Sequence, residues 1–426
     1  MTQRERIPPG PDRPYNPSDE LLGWMGDQFA QFGDVYKASI YGTPAYVIRD
    51  PAHAEHVLRV NWRNYVKGQA IKRIALLLGN GLMVSEGEFW QRQRRMIQPA
   101  LHGDGVANLL KLIRTFNFCL LESWEQSAQK GTSVNVTLDI SQMVLKVVLV
   151  SIFGANYGDV GPYFNILSED ATRSLEFAQA FRSLRRVVLE VVERRWKEKT
   201  DSTDILGMLL DARDPVSGHG MPEHQLVNEI MTLIVAGHET TASTLNWVWY
   251  LLSQHPSAEE KLSLELRNLD PDYGPSLGDL PKFPYTRHVI EETLRLYPPG
   301  WLMTRKALRN DHLGDYFVPL GTEIYIPTYF IQRHPDLWHE PDHFNPDRFE
   351  PGQSSDRHRT AILPFSAGPR NCVGELLARV EMQIHLMMIA SRLKLRYFAA
   401  KPIELELGVN LRSKHNFVMT PEIAAS

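Results

Sequence analysis

The longest hydrophobic pattern in the chain runs over Glu223–Gln254, where apolar residues recur on nearly every side of a helical repeat. A helix that is apolar all round is a buried one, so the spacing predicts a single long core helix there. Helical spacing extends more widely, from about Trp90 to Tyr297, broken by loops such as Asp211–Gly220. Another helix is predicted just after Cys372, from the spacing of Leu376, Leu377, Val380, Ile384, Met387 and Met388. Strand patterns appear at Val35–Ile40 and Ala45–Ile48, on either side of the turn Tyr41-Gly42-Thr43-Pro44. They return at Tyr316–Val318 and Glu323–Ile326 around Pro319-Leu320-Gly321, and again near Ile403–Leu407 and Phe417–Met419. The expected fold class is mainly α with small β-sheets (α+β). Strand segments at both ends of the chain imply one interlocked domain over 1–426, with residues 1–15 a flexible, proline-rich N-terminus.

Composition narrows the class. Of 426 residues, 43% are apolar, enough for a large core with room for an internal cavity. The net charge of −4 gives no footing for a nucleic-acid partner. Cys119 and Cys372 are the two cysteines. That count argues against a secreted disulfide framework and for a cytoplasmic chain with one working thiolate, Cys119 being plain core. The N-terminal run MTQRERIPPGPDRP lacks the apolar stretch of a signal peptide or anchor. The best membrane-span candidate, Leu226–Leu252, carries Asn228, Glu229, His238 and Glu239, and carboxylates at bilayer depth are costly. No membrane anchor is expected.

Two segments carry chemistry. Phe365-Ser366-Ala367-Gly368-Pro369-Arg370-Asn371-Cys372-Val373-Gly374 is a turn-rich loop that feeds a helix. Cys372 would then stand at or just before a helix N-terminus, where free backbone N–H groups and the macrodipole favour a thiolate. Gly368 permits a sharp positive-φ turn that aims the sulfur, and Gly374 lets backbone approach something flat. Phe365 offers an apolar shield, and Arg370 a fixed cation for nearby carboxylates. Taken alone, Cys372 reads better as a small buried hydrophobe, the usual fate of a lone thiol.

The second segment, Ala236-Gly237-His238-Glu239-Thr240-Thr241, puts polar residues in the middle of the long apolar helix. Such residues cost free energy unless they have partners or a task. Thr240 lies four residues after Ala236, so its hydroxyl can bond that carbonyl and open the helix locally. Gly237 would leave a groove for a diatomic ligand and a water. Glu239 would then act as a solvent-linked proton relay and Thr240 as the hydroxyl that hydrogen-bonds oxygen. The competing reading is an exposed polar turn, which suits His238 and Thr241.

The run Phe-x-x-Gly-x-Arg-x-Cys-x-Gly resembles the haem-binding signature of the cytochrome P450 family at every fixed position. Ala236–Thr241 resembles the same family's oxygen-activating motif, with the acid and both threonines present. The resemblance implies the P450 fold, a single triangular domain with a long central helix. It implies haem b held by Cys372, and a monooxygenase that uses O2 to oxidise a lipophilic small molecule such as a fatty acid, terpenoid or polyketide. It also gives roles to residues that spacing alone leaves ordinary. Trp90 and Arg94 match the Trp-x-x-x-Arg contact to a haem propionate, and Arg305 occupies the place of another propionate arginine. Glu292 and Arg295 match a buried structural pair whose third member is Arg348.

Two cysteines argue against an iron–sulfur cluster of the chain's own, and no fused reductase is expected after the cysteine helix. Electrons from NAD(P)H are therefore expected indirectly, through a separate ferredoxin or flavodoxin and a reductase. Arg92, Arg95, Arg357 and Arg359 are candidates for a basic docking face. Leu233, Ala236, Gly237, Thr240 and Leu302 are the expected substrate wall, with Gln69–Leu78 as a lid, and the chain is expected to be monomeric. Two other readings stay open at this point: a peroxide-dependent haem-thiolate peroxygenase or isomerase, and a non-catalytic haem gas sensor.

Overall fold

The computed structural model describes residues 6–164, 175–198, 203–270, 274–353, 357–398 and 402–424. Four side chains in the expected lid helix Gln69–Leu78 (72, 73, 76 and 77) also lie outside the described set, although the helix itself forms. The fold is mainly helical with small sheets. Two compact units share the chain, each from three segments: residues 1–74, 295–343 and 354–372 in one, and 75–294, 344–353 and 373–426 in the other.

The first unit is built on a five-stranded sheet ordered Val35–Ile40, Thr43–Ile48, Glu323–Ile326, Met303–Ala307, Tyr65–Lys67. The first two strands form a tight hairpin whose Tyr41 and Gly42 both take positive φ (51° and 76°), as a two-residue primed turn requires. Thr43 and Pro44, expected in the turn, pair with Ile40 and Ser39 instead. Alternation then sends neighbours to opposite faces. Val35 and Ile48 enter a cluster with Val57, Leu58, Ile324 and Ile326, whereas Tyr36 and Val47 join Met25 and Phe29. Met25 and Phe29 come from a helix, Leu21–Phe32, that the strand-dominated reading of this region did not predict. Its N-cap Glu20 accepts from the N–H groups of Leu22 and Gly23.

The N-terminus needs correcting. Residues 6–15 were expected to be flexible, yet they pack along the first strand. Lys37 N–H donates to Pro9 O at 2.8 Å, Tyr15 N–H donates to Ser39 O at 2.9 Å, and Arg6 bridges Tyr316.

The second unit is helical around Glu223–Gln254, a 32-residue helix with the bounds its hydrophobicity predicted. Its polar residues have partners, which is what makes their burial tolerable. Glu229 accepts from Leu82 N–H (2.7 Å) and from Gln225 Nε2 (2.6 Å), and Asn228 accepts from Arg185. Trp249 Nε1 donates to His385 Nε2 at 2.9 Å, so the His385 proton sits on Nδ1, facing Asn117 Oδ1 at 2.6 Å. This chain of bonds ties the central helix to Glu375–Ala390 and Asp104–Lys130, and burial holds His385 neutral, its pKa pulled down to about 3. Among the described residues, one helical stretch, Val136–Phe164, is long and apolar enough to cross a membrane, and 56% of its most apolar window is buried inside the protein. The candidate is thus not the Leu226–Leu252 segment that sequence singled out. A small sheet of Val134–Asn135, Val418–Ile423 and Leu393–Arg396 and the hairpin Leu405–Leu407/Leu411–Ser413 complete the unit.

Cys119 was expected in the core but is exposed. The buried face of its helix runs through Ile113, Asn117, Leu120, Leu121 and Trp124, and position 119 falls on the far side of the 3.6-residue repeat.

Glu381, on the helix after Cys372, is 2% exposed, and among the described residues no hydrogen bond reaches its Oε1. Desolvation pushes its pKa from 4.5 up to about 8. The folded state thus binds this proton more tightly than the unfolded chain, and stability falls as pH rises through that window. Glu381→Gln should match the parent in thermal melts near pH 4.5 and exceed it increasingly up to about pH 8, by roughly a few kcal/mol. A gap independent of pH would contradict a buried neutral carboxyl.

Candidate functional site

The cysteine loop lies in the first unit and is closed by its own backbone. Ser366 N–H donates to Leu363 O, Asn371 N–H to Gly368 O, and Cys372 N–H to Phe365 O at 2.9 Å. Gly368 has φ 74°, and a Cβ there would lie 2.0 Å from Leu58 O, so both the backbone angle and the space demand glycine. Leu58 belongs to a π-helical turn, His56–Val60, which packs its carbonyl against the loop. Upstream, Gln332 Oε1 accepts from Leu363 N–H at 2.7 Å, while Gln332 Nε2 donates to Arg295 O. Arg295 is fully buried. It donates to the carbonyls of Gln332, Pro341 and His343 and lies over the Trp338 ring. The loop is therefore fixed from behind, and its product is an exposed Cys372 thiol. That exposure rules out the alternative of a small buried hydrophobe.

A soft sulfur donor on a braced loop fits a haem iron. The helix that follows starts at Glu375 with Gly374 as its N-cap, so Cys372 stands two residues before the cap. Phe365 and Gly374 are half-buried. Arg370, also half-buried, has its guanidinium 6.0 Å from the Trp62 ring, and Arg305 is 8% exposed with Nη1 donating to Thr304 O.

The remaining site residues belong to the second unit. Trp90 is buried and Arg94 half-buried on the helix Gly87–Ile97, and Arg94 Nε donates to Gln98 Oε1 at 3.1 Å. Glu292, fully buried, accepts from Arg348 Nε at 3.3 Å and from Asn345 N–H at 2.9 Å.

On the central helix, Thr240 Oγ1 donates to Ala236 O at 2.8 Å, the local bond its spacing predicted. Thr244 repeats the arrangement onto Thr240 O. His238 and Thr241 are buried, not an exposed polar turn. His238 Nε2 donates to Ser141 O at 3.1 Å and lies 2.9 Å from Ser141 Oγ, and desolvation pulls its pKa down to about 4. It is a neutral tie to the helix Val136–Phe153. A Cβ on Gly237 would stand 3.3 Å from Val148 Cγ2, so this glycine serves close packing on that same helix rather than an open groove. Glu239 is held above the usual carboxylate range by desolvation, against the opposing pull of Asn410 and Arg412. Asn410 Nδ2 donates to Glu239 Oε2 at 2.8 Å. Nothing in the sequence pairs residues so far apart, and Asn410 was missed.

Two other expectations shift. Leu302 packs against the cluster of Met25, Phe29 and Tyr36. The four docking-face arginines all have partners within the chain. Arg92 donates to Gly220 O, Arg95 pairs with Asp214, Arg357 lies over Trp338, and Arg359 pairs with Glu55.

The family model for cytochrome P450 matches residues 16–165 and 157–421. This chain belongs to the cytochrome P450 family. Among its relatives is the cyclooctat-9-en-7-ol 5-monooxygenase of Streptomyces melanosporofaciens, 33% identical over 85% of this chain and 83% of that protein. Another is the chloroplastic carotene epsilon-monooxygenase of Arabidopsis thaliana, 29% identical over 94% of this chain and 80% of its own. In fold, the P450 matches the crystal structure of the cytochrome P450DA heme domain with a TM-score of 0.87 at 22% identity, over 99% of both chains. The chain is a P450 monooxygenase, and its cofactor is haem b.

Proposed function

We propose that this P450 holds haem through the Cys372 thiolate and oxidises an isoprenoid substrate, with O2 and with electrons from a separate ferredoxin or flavodoxin and its reductase. The observation that carries the catalytic part is the Thr240 hydroxyl fixed on Ala236 O, next to a half-buried Glu239 whose proton affinity is raised. Thiolate-held haem supplies oxygen activation and C–H oxidation when bound. The chain supplies position and protons. Trp90, Arg94, Arg305 and Arg370 would hold the propionates, and Phe365, Gly368 and Gly374 would border the thiolate side.

Glu239 takes a proton from the solvent side and passes it inward, a task for which a raised pKa suits a carboxyl near neutral pH. The bond to Ala236 O fixes the Thr240 oxygen and leaves it able to accept a second hydrogen bond. The acid–alcohol pair favours this reading over a peroxygenase, an isomerase or a gas sensor. Both named relatives are monooxygenases of isoprenoid compounds, which supports that substrate class within the broader lipophilic one. Leu233 and Ala236 would line the wall, and Gln69–Leu78 would form the lid. A monomer working in the cytoplasm completes the proposal.

Thr240→Ala and Glu239→Gln should each cut product formed per NAD(P)H by about a hundredfold, with the electrons appearing as hydrogen peroxide. Product and peroxide are to be measured side by side in the reconstituted system. Coupling equal to the parent in both variants would remove the relay.

A further inference from the structure

The proton relay has a second component that the central helix does not contain. A cavity of about 260 Å³ lies beside Glu239, lined by Ser141, His238, Asn246, Asn410, Arg412 and Lys414 among others. One wall is the C-terminal hairpin, whose strands pair Leu405 with Ser413, Glu406 with Arg412 and Leu407 with Leu411. Two bonds fasten the hairpin to the central helix. Ser243 Oγ donates to Leu411 O at 2.9 Å, and Asn410 Nδ2 donates to Glu239 Oε2 at 2.8 Å. Glu239 and Ser243 are four residues apart, hence on one helix face, so the hairpin docks along a line that ends on the carboxylate. Among the described residues, Asn410 is the one side chain that donates to Glu239.

We propose that Asn410 is a positioning residue for proton delivery, holding the Glu239 carboxylate toward the polar cavity with the Arg412 charge behind it. This rests on the relay role of Glu239 proposed above. The step moves a proton and nothing else: a proton from bulk solvent, relayed through water in the cavity that is left neutral, goes to the carboxylate, and the acid so formed gives it up inward and returns to the carboxylate.

The charges around Glu239 are arranged for this. Arg412 Nε is bonded to Glu406 at 2.6 Å and Lys414 Nζ to Glu404 at 2.5 Å, so each cation of the hairpin is balanced by its own carboxylate. From the helix Val136–Phe153, Ser141 engages His238, which is neutral and brings no charge. The donor of Asn410 and the charge of Arg412 both pull against the desolvation that raises the proton affinity of this carboxyl. A hairpin fixed at two points sets the angle of that donor, while its tip at Gly408 and Val409 is exposed.

Three variants of the holoenzyme test this: Asn410→Leu, which keeps size and loses the donor; Asn410→Asp, which adds a like charge; and Glu239→Gln. The Glu239 carboxyl is followed by infrared pH titration of the ferric, substrate-free protein with ¹³C-labelled glutamate, assigned by its absence in Glu239→Gln. Its midpoint should rise in Asn410→Leu and rise further in Asn410→Asp. With geranylgeraniol as the turnover probe, peroxide released per NAD(P)H should increase about tenfold in Asn410→Leu, with a larger solvent deuterium isotope effect. Asn410→Leu should add nothing further in the Glu239→Gln background. An unchanged midpoint and unchanged coupling in Asn410→Leu, while Glu239→Gln uncouples, overturns the role of Asn410 and leaves the relay standing. Parent-like coupling in Glu239→Gln overturns the relay itself.

Discussion

Cys372→Ser should abolish turnover and the thiolate-type carbon monoxide spectrum of the reduced protein, with the fold intact. Cys372 is exposed and the loop is closed by backbone bonds, above all Cys372 N–H to Phe365 O. None of these needs the sulfur, so the loop should keep its backbone shape without it. What changes is the donor. A serine hydroxyl is a hard, weakly acidic oxygen in place of a soft thiolate, and thiolate donation is what promotes O–O cleavage. Circular dichroism should overlay on the parent while the carbon monoxide difference spectrum loses its thiolate form. If that form survived in Cys372→Ser, the iron ligand would have to be sought elsewhere.

The second large effect concerns folding. Arg348→Ala should destabilise the protein by about 3–5 kcal/mol, because it leaves the Glu292 carboxylate buried beside an emptied site. Glu292 is fully buried, and Arg348 is a charged partner of it at 3.3 Å. Against a typical total of roughly 5–15 kcal/mol, such a loss approaches unfolding at growth temperature. Replacing both residues, as in Glu292→Leu with Arg348→Met, should cost clearly less than the sum of the two single changes. Denaturant melts of the four proteins in that cycle measure the coupling. Strict additivity would mean that the pair contributes nothing specific.

Much of this architecture is legible in the sequence wherever the cause is local. The bounds of Glu223–Gln254 follow from continuous apolar periodicity, and the Thr240 bond to Ala236 O follows from a spacing of four. The strands Val35–Ile40, Tyr316–Val318 and Glu323–Ile326 fall where alternation puts them. Elsewhere local pattern misleads. The helix Leu21–Phe32 contains two glycines, weak helix formers, and is held by burying Met25 and Phe29 against the sheet. Residues 6–15 look unstructured by composition, but their backbone groups bond to the first strand, and composition does not encode that contact.

The site divides along the same line. Order along the chain is enough to place a thiol in a glycine-bearing loop just before a helix, and an acid and an alcohol in the middle of a long apolar one. These are relations among near neighbours, set by backbone geometry over a turn or two. Long-range packing makes His238 a desolvated, neutral tie to Ser141 and turns Cys119 outward. It also brings Asn410 to Glu239 from a hairpin 171 residues away. Burial and charge state depend on what the rest of the chain brings alongside, and that is fixed only when distant segments close on one another.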